Sequence, residues 1–157
     1  MSQPNFLFII ADDHAPAAIS SYGDSLVATP NLDRLAEEGA RFDRCFCTNA
    51  ICTPARATVL TGKYSHTTGI RTLDDVIDHT KEQTLGKLLQ NVGYQTAAFG
   101  KWHLGHGGVS DPVGFDSWSV LPVQGKYNDP DFFEPDGRIT RHGYVTDILS
   151  DMAIDWL

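Results

Sequence analysis

The chain has 157 residues, enough for one globular domain with its own core. Twenty Asp and Glu against twelve Lys and Arg give a net charge of −8, and 41% hydrophobic with 20% charged residues is ordinary for a soluble protein. No run of Lys or Arg marks a nucleic-acid surface, and the acidic balance opposes a phosphate backbone, so any anionic ligand must be held by local cations.

Residues 5–11 are an apolar run of Phe, Leu and Ile ending in Asp12-Asp13. The run is too short to span a bilayer. It also lacks the basic leader and small-residue cleavage site of a secretory signal. It therefore reads as a buried, central parallel strand with polar residues at its C-terminal end. The chain as given reads as cytoplasmic, or as periplasmic or secreted with its leader left out.

Thr29-Pro30-Asn31 opens a helix, with Thr29 as N-cap, Pro30 in the first turn and Gly39 as the stop. Residues 40–48 alternate in the manner of a second extended segment. A short helix is predicted near 54–61, closed by Gly62. Thr84 caps another, carrying Leu85, Leu88, Leu89 and Val92, that stops at Gly93. Tyr94 to Phe99 reads as a strand, followed by the loop Gly100–Gly105. Residues 105–140 are rich in Gly, Pro and Asp and read as loop. From Tyr144 to Leu157, Val145, Ile148, Leu149, Met152 and Trp156 recur at helical spacing.

Alternating strands and helices imply an α/β fold, a mostly parallel sheet flanked by helices. Ligands collect beyond the carboxyl ends of such strands. Asp12-Asp13 and the segment Lys101–His103 both come after a predicted strand, so they are expected near each other. The chain ends inside a helix and a doubly wound sheet needs further strands, so the fold is expected to be incomplete.

Three cysteines, Cys45, Cys47 and Cys52, cluster within eight positions. An odd, clustered set is a poor disulfide framework. No histidine stands at zinc-ligand spacing from it. Two of the three are expected to be small buried hydrophobes.

Cys52 stands apart because of its neighbours in the chain: Cys52-Thr53-Pro54-Ala55-Arg56, continued by Ala57-Thr58-Val59-Leu60-Thr61-Gly62. Over eleven positions this resembles the signature of the formylglycine-dependent type I sulfatases, of the alkaline-phosphatase-like superfamily. The segment 93–103, ending in Gly100-Lys101-Trp102-His103, is similar to their second signature, with Phe99 bulkier than the residue common there. Segments 114–118, 121–127 and 143–147 are more loosely similar to N-acetylglucosamine-6-sulfatase-like glycan sulfatases. Taken alone, each motif has a plainer reading: a buried Cys before a helix, a loop or capping Asp pair, a solvated Lys-x-His. It is their combination that carries the resemblance.

The resemblance implies a mechanism. A maturation enzyme would read Cys-x-Pro-x-Arg in the unfolded chain and oxidise Cys52 to formylglycine. One hydroxyl of the aldehyde hydrate would attack sulfur, and the other would help expel sulfate. Arg56 would steady the hydrate, Lys101 would bridge it to the sulfate, and His103 would accept a proton during release. Asp12, Asp13 and position 52 would bind a divalent metal, Ca²⁺ or another such as Mg²⁺. His14 is equally a surface or supporting residue. His66 is expected to be structural, and His79, His106 and His142 to lie on the surface. Trp102 and Trp118 are expected in the core.

The expected substrate is a sulfated small molecule or glycan, with neither nucleic acid nor membrane as a partner. Two alternatives stand beside it: phosphonate or phosphate ester hydrolysis with the same motif, and a truncated, inactive fragment. The resemblance makes residues 1–157 the N-terminal portion of a sulfatase catalytic domain. The rest of that domain and a C-terminal subdomain would be absent, with further metal and sulfate ligands, so the chain alone is expected to be inactive.

Overall fold

A computed structural model describes residues 3–23 and 26–157. The chain divides into two compact units, Met1–Phe46 and Cys47–Leu157.

Among its described residues the first unit holds one α-helix, α1 (Pro30–Glu38), preceded by 3₁₀ turns at Pro16–Ala18 and Ser20–Tyr22. Its start is held by side chains. The Ser20 hydroxyl donates to Asp33 Oδ2 at 2.6 Å, and the Thr29 hydroxyl donates to Asp33 Oδ1 at 3.2 Å. Thr29 thus precedes the helix as predicted, but its oxygen engages Ser20 and Asp33 and makes no cap to a helix amide. Gly39 ends the helix, its amide donating to the Leu35 carbonyl. Arg41 pairs with Asp43 at 2.8 Å and lies over the Tyr22 ring.

Residues 5–11 are not a strand, nor are residues 40–48. A parallel strand needs neighbours along both edges and cover on both faces. Among the described residues of this unit there is no strand for either segment to pair with. Phe6 to Ile10 are exposed. Cys45 and Cys47 are exposed free thiols, correcting their expected burial: without a sheet the 40–48 segment has no buried face.

The second unit opens with α2 (Cys52–Thr61), which Gly62 ends in a left-handed conformation, φ 67°. Then come α3 (Ser65–Thr68) and α4 (Leu85–Asn91), strands β1 (Ala97–Lys101), β2 (Ser117–Leu121), β3 (Asp131–Glu134) and β4 (Gly137–Thr140), and helix α5 (Val145–Trp156). The sheet order is β1-β2-β3-β4. β1 and β2 are parallel, Ala97 facing Ser117 and Lys101 facing Leu121. The other two pairings are antiparallel.

The α/β class with flanking helices therefore holds, but the sheet is mixed where mostly parallel pairing was expected. Three of its strands lie in the 105–140 segment read as loop. Strands of four or five residues between Gly, Pro and Asp turns are too short to show their own alternation.

Two apolar clusters brace the sheet. Ala57 of α2 packs with Ile70, Ile77, Trp102, Leu104 and Val120, and Trp118 packs partly buried against them. Leu121, Phe132 and Val145 form the other, with Ile148, Leu149 and Met152 of α5 around it. Gly100 lets α5 approach β1: a Cβ there would sit 3.2 Å from Leu149 Cδ1. The starts of β1 and β2 are joined through Asp116. Its carboxylate accepts from the Thr96 amide at 2.8 Å and from Gln90 at 2.9 Å, and these bonds, the Thr96 amide first, hold its pKa below the usual range.

Candidate active site

The rotation of α2 about its axis is set by the side chains it buries. Thr53 and Ala57 are fully buried, four residues apart, and Leu60 lies at the next turn on the same stripe. That stripe leaves Cys52 and Arg56, also four apart, together on the adjacent face. Both meet Lys101. The Arg56 guanidinium donates to the Lys101 carbonyl at 2.5 Å, and the Lys101 ammonium lies 3.4 Å from Cys52 Sγ.

Cys52 is the first residue of α2, after an extended Ile51. The predicted start near residue 54 is thus two residues late, and Pro54 sits within the first turn, where no amide is needed for the helix ladder. The amides of Cys52 and Thr53 stand at the N-terminus of a ten-residue helix, the end that favours an anion.

Lys101 ends β1, one residue beyond Gly100. Trp102 turns into the core, its indole NH donating to the Ser110 carbonyl at 3.0 Å and its ring edge-on to Phe115, as expected of a core tryptophan. His103 comes next with φ 54°, a left-handed conformation uncommon outside glycine. Its carbonyl accepts the Thr53 hydroxyl at 2.9 Å, and a weaker bond from the same hydroxyl reaches the Leu73 carbonyl at 3.4 Å. The helix start and the strand end are thus joined twice, through Thr53 to His103 and through Arg56 to Lys101.

The structure therefore brings Cys52, Arg56 and Lys101 into direct contact and ties the backbone of His103 to the same helix turn. Asp12 and Asp13 lie in the first unit, both exposed, Asp13 with φ 53°. Adjacent carboxylates have the oxygen chemistry of a Ca²⁺ or Mg²⁺ site but not the ligand number. Among the described residues, no group of three or more His, Cys, Asp or Glu side chains is arranged to hold a metal ion.

Two residues of this site were not singled out from sequence. Thr53 lies inside the Cys52 signature, where only its neighbours drew a role. Gln124, in the turn after β2, accepts a hydrogen bond from the Lys101 ammonium at 2.5 Å. Nothing local to Gln124 signals this, because the contact depends on the β1–β2 register.

The histidines divide. His66 is exposed and stacks on Tyr64. His142 is exposed, 3.4 Å from Asp129. His106 is exposed but stacks on Phe133 at 3.5 Å and meets Asp111 at 3.1 Å. His79, expected at the surface, is only 5% exposed and stacks on Trp102. The chain turns inward there because the Ile77 and His79 amides bond the Leu104 and Val109 carbonyls. Burial holds the His79 pKa down to about 4. Lys87 adds to the depression, and Asp78 and Asp111 oppose it.

The model of the sulfatase family matches residues 4–157. The chain is 49% identical over 158 residues to an N-acetylglucosamine-6-O-sulfatase of Bacteroides thetaiotaomicron, covering 99% of this chain and 27% of that protein. It is 38% identical over 141 residues to an ulvan-active sulfatase of Formosa agariphila, covering 86% of this chain and 27% of that one. A protein solved in complex with its substrate, D-glucosamine-2-N,6-O-disulfate, superposes with a TM-score of 0.93 at 48% identity, over 99% of this chain and 31% of that one. The chain thus spans about a quarter of the length of the curated relatives it matches. With its signature intact around Cys52 and its fold shared along the whole chain, it belongs to the sulfatase family.

Proposed function

We propose that this chain carries the nucleophile of a sulfuric ester hydrolase acting on a sulfated glycan, with Cys52 converted to formylglycine. The observation that carries the reading is the placement of position 52 at the N-terminus of α2, 3.4 Å from the Lys101 ammonium. A helix N-terminus and a cation converging on one side chain form an electropositive site. It suits a bound sulfate and the negative charge that grows on its oxygens as the ester bond breaks.

Each residue has a task in this reading. Position 52 supplies the attacking hydroxyl of the aldehyde hydrate, and its second hydroxyl drives release of the transferred sulfate. Lys101 spans position 52 and the sulfate. Arg56, bonded to the Lys101 carbonyl, keeps the strand end against the helix and adds positive charge beside the nucleophile. His103 accepts a proton during sulfate release. Asp12 and Asp13 would contribute oxygen ligands to a divalent cation, Ca²⁺ or Mg²⁺, which would supply Lewis-acid chemistry. A formylglycine-generating enzyme is the partner that matures Cys52.

A sulfated amino sugar is the substrate class. This rests on the relative named as an N-acetylglucosamine-6-O-sulfatase and on the neighbour solved with D-glucosamine-2-N,6-O-disulfate.

The test is to coexpress the protein with a formylglycine-generating enzyme and measure two things. Mass spectrometry of the Cys52 peptide should show a loss of about 18 Da, the mark of the aldehyde nucleophile. Sulfate release from 6-O-sulfated glucosamine derivatives is expected when matured residues 1–157 are joined to the rest of a sulfatase catalytic domain, and not from the 157-residue chain alone. Retention of the thiol under these conditions overturns the reading.

A further inference from the structure

The β1–β2 register carries a consequence beyond the signature residues. Because the two strands are parallel with Lys101 opposite Leu121, their carboxyl ends stop side by side. The turn that leaves β2 is therefore delivered beside Lys101. It spans Pro122–Gly125 and is closed by the Gly125 amide donating to the Pro122 carbonyl at 2.8 Å.

The turn adopts a costly conformation. Val123 has φ 49°, which a β-branched residue rarely adopts, and Gly125 has φ 74°. Such conformations persist only where the surroundings impose them, and they gather at functional sites. Here the surroundings are identifiable. Leu121, at the base of the turn, is buried against Phe132 and Val145, and a Cβ on Gly125 would come within 2.9 Å of Leu121 Cδ1. The turn presents Gln124, whose side-chain oxygen accepts from the Lys101 ammonium on one side while that ammonium contacts Cys52 Sγ on the other.

We propose that Gln124 is a positioning residue for sulfate-ester cleavage: its side-chain carbonyl holds the Lys101 ammonium over position 52. A lysine side chain is long and flexible and loses considerable freedom when fixed at one point. An amide acceptor fixes it without cancelling its charge. A carboxylate at 124 would hold the ammonium equally well but place a negative charge beside a bound sulfate. The residue type thus separates two duties, orientation and attraction of the anion. This rests on the reading of the Cys52–Lys101 site given above.

Three variants, matured and joined to the rest of a sulfatase catalytic domain, test the idea: Gln124→Met, which removes the acceptor at similar volume; Gln124→Glu, which keeps one; and Lys101→Ala. With a 6-O-sulfated glucosamine as probe, Gln124→Met is expected to lower kcat about tenfold with KM within about twofold, while Gln124→Glu keeps kcat near wild type and raises KM. In the Lys101→Ala background, Gln124→Met should have less than about a twofold effect, because the residue acts through that lysine. An equal tenfold loss in both backgrounds overturns the proposal.

A second readout needs no turnover. Acetylation of Lys101 by acetic anhydride, measured by peptide mass spectrometry against the exposed Lys81, should rise severalfold in Gln124→Met once the ammonium is released. Unchanged labelling overturns the proposal whatever the activity. Absence of turnover in the matured wild type joined to the rest of the domain instead counts against the hydrolase reading, with the labelling still deciding the Gln124–Lys101 bond.

Discussion

Thr53 donates its buried hydroxyl to the carbonyl of His103 at 2.9 Å, across fifty positions of sequence. The bond joins the first turn of α2 to the loop after β1. One member neighbours the nucleophile position and the other belongs to the Lys101–His103 segment, so a structural tie and the proposed chemistry share the same turn.

Replacing Thr53 by Val removes the donor at nearly constant volume and deprives the part-buried His103 carbonyl of this bond. A stability loss of about 1–3 kcal/mol is expected in urea unfolding, with Thr53→Ser recovering most of it. The activity of the matured protein should fall further in the Val variant than stability alone accounts for, since His103 loses its backbone anchor.

Lys101 should tolerate no replacement. In Lys101→Ala the cation beside position 52 is gone, and a fall in kcat of about 10²–10³ is expected, in line with loss of one electrostatic group in a preorganised site. Lys101→Arg keeps the charge. Its planar, longer head cannot reproduce a point contact to position 52 and to Gln124 together, so it should recover only a minor part of the rate. Steady-state kinetics of both variants, with the mass of the Cys52 peptide checked in each, makes the comparison.

Gly125→Ala tests the turn after β2 from its other end. The residue has φ 74°, and its new Cβ would sit 2.9 Å from Leu121 Cδ1. The strain should cost about 1–2 kcal/mol in thermal or urea unfolding. The matured variant should also lose kcat in the same direction as Gln124→Met, because the turn that carries Gln124 shifts.

His79 gives the protein a pH-dependent stability. Its folded pKa is about 4 against an ordinary 6.5, because burial disfavours the charged ring. Between those values the unfolded chain binds a proton that the folded chain does not, so the stabilisation is complete above pH 6.5 and is lost as pH falls toward 4. The carboxylates of Asp116 and Asp131 are held below their usual value of 3.8 and titrate outside this window. Urea midpoints should therefore drop between about pH 7 and pH 5. In His79→Phe, which keeps the stack on Trp102, that drop should shrink.

In the second unit α2, α4 and α5 were legible because local signals suffice for them, whereas the four-residue α3 was not foreseen: the Cys52–Gly62 segment carries its own start and stop, and the apolar spacing from Val145 to Trp156 has a helical period. The strand expected over 94–99 is also found, as β1 (Ala97–Lys101), but the other strands were not legible, because a strand is defined by its partner. Phe6–Ile10 has the composition of a buried strand, yet the described residues of its own unit include no strand. Asp131–Glu134 has no strand pattern of note, yet pairs on both sides. The site was legible to the extent that it lies within two signatures. Cys52, Arg56 and Lys101 were each singled out from sequence, and Lys101 contacts both of the others. Gln124 escaped because it reaches the site through strand register, and the burial of His79 escaped because it depends on Trp102 and on bonds to the 104–109 loop.

Thr53 and Pro54 are both fully enclosed once α2 has docked, and Arg56 is committed to the end of β1. A catalyst that must grip this stretch to alter Cys52 loses its handle as soon as the domain closes. If Cys52 is matured as proposed, oxidation and folding would run as a race with a single order of finish: the oxidation would come first, or that molecule would be locked with an inert thiol. In a host short of the oxidising catalyst, a slower-folding variant would yield a larger fraction of converted protein than a faster one.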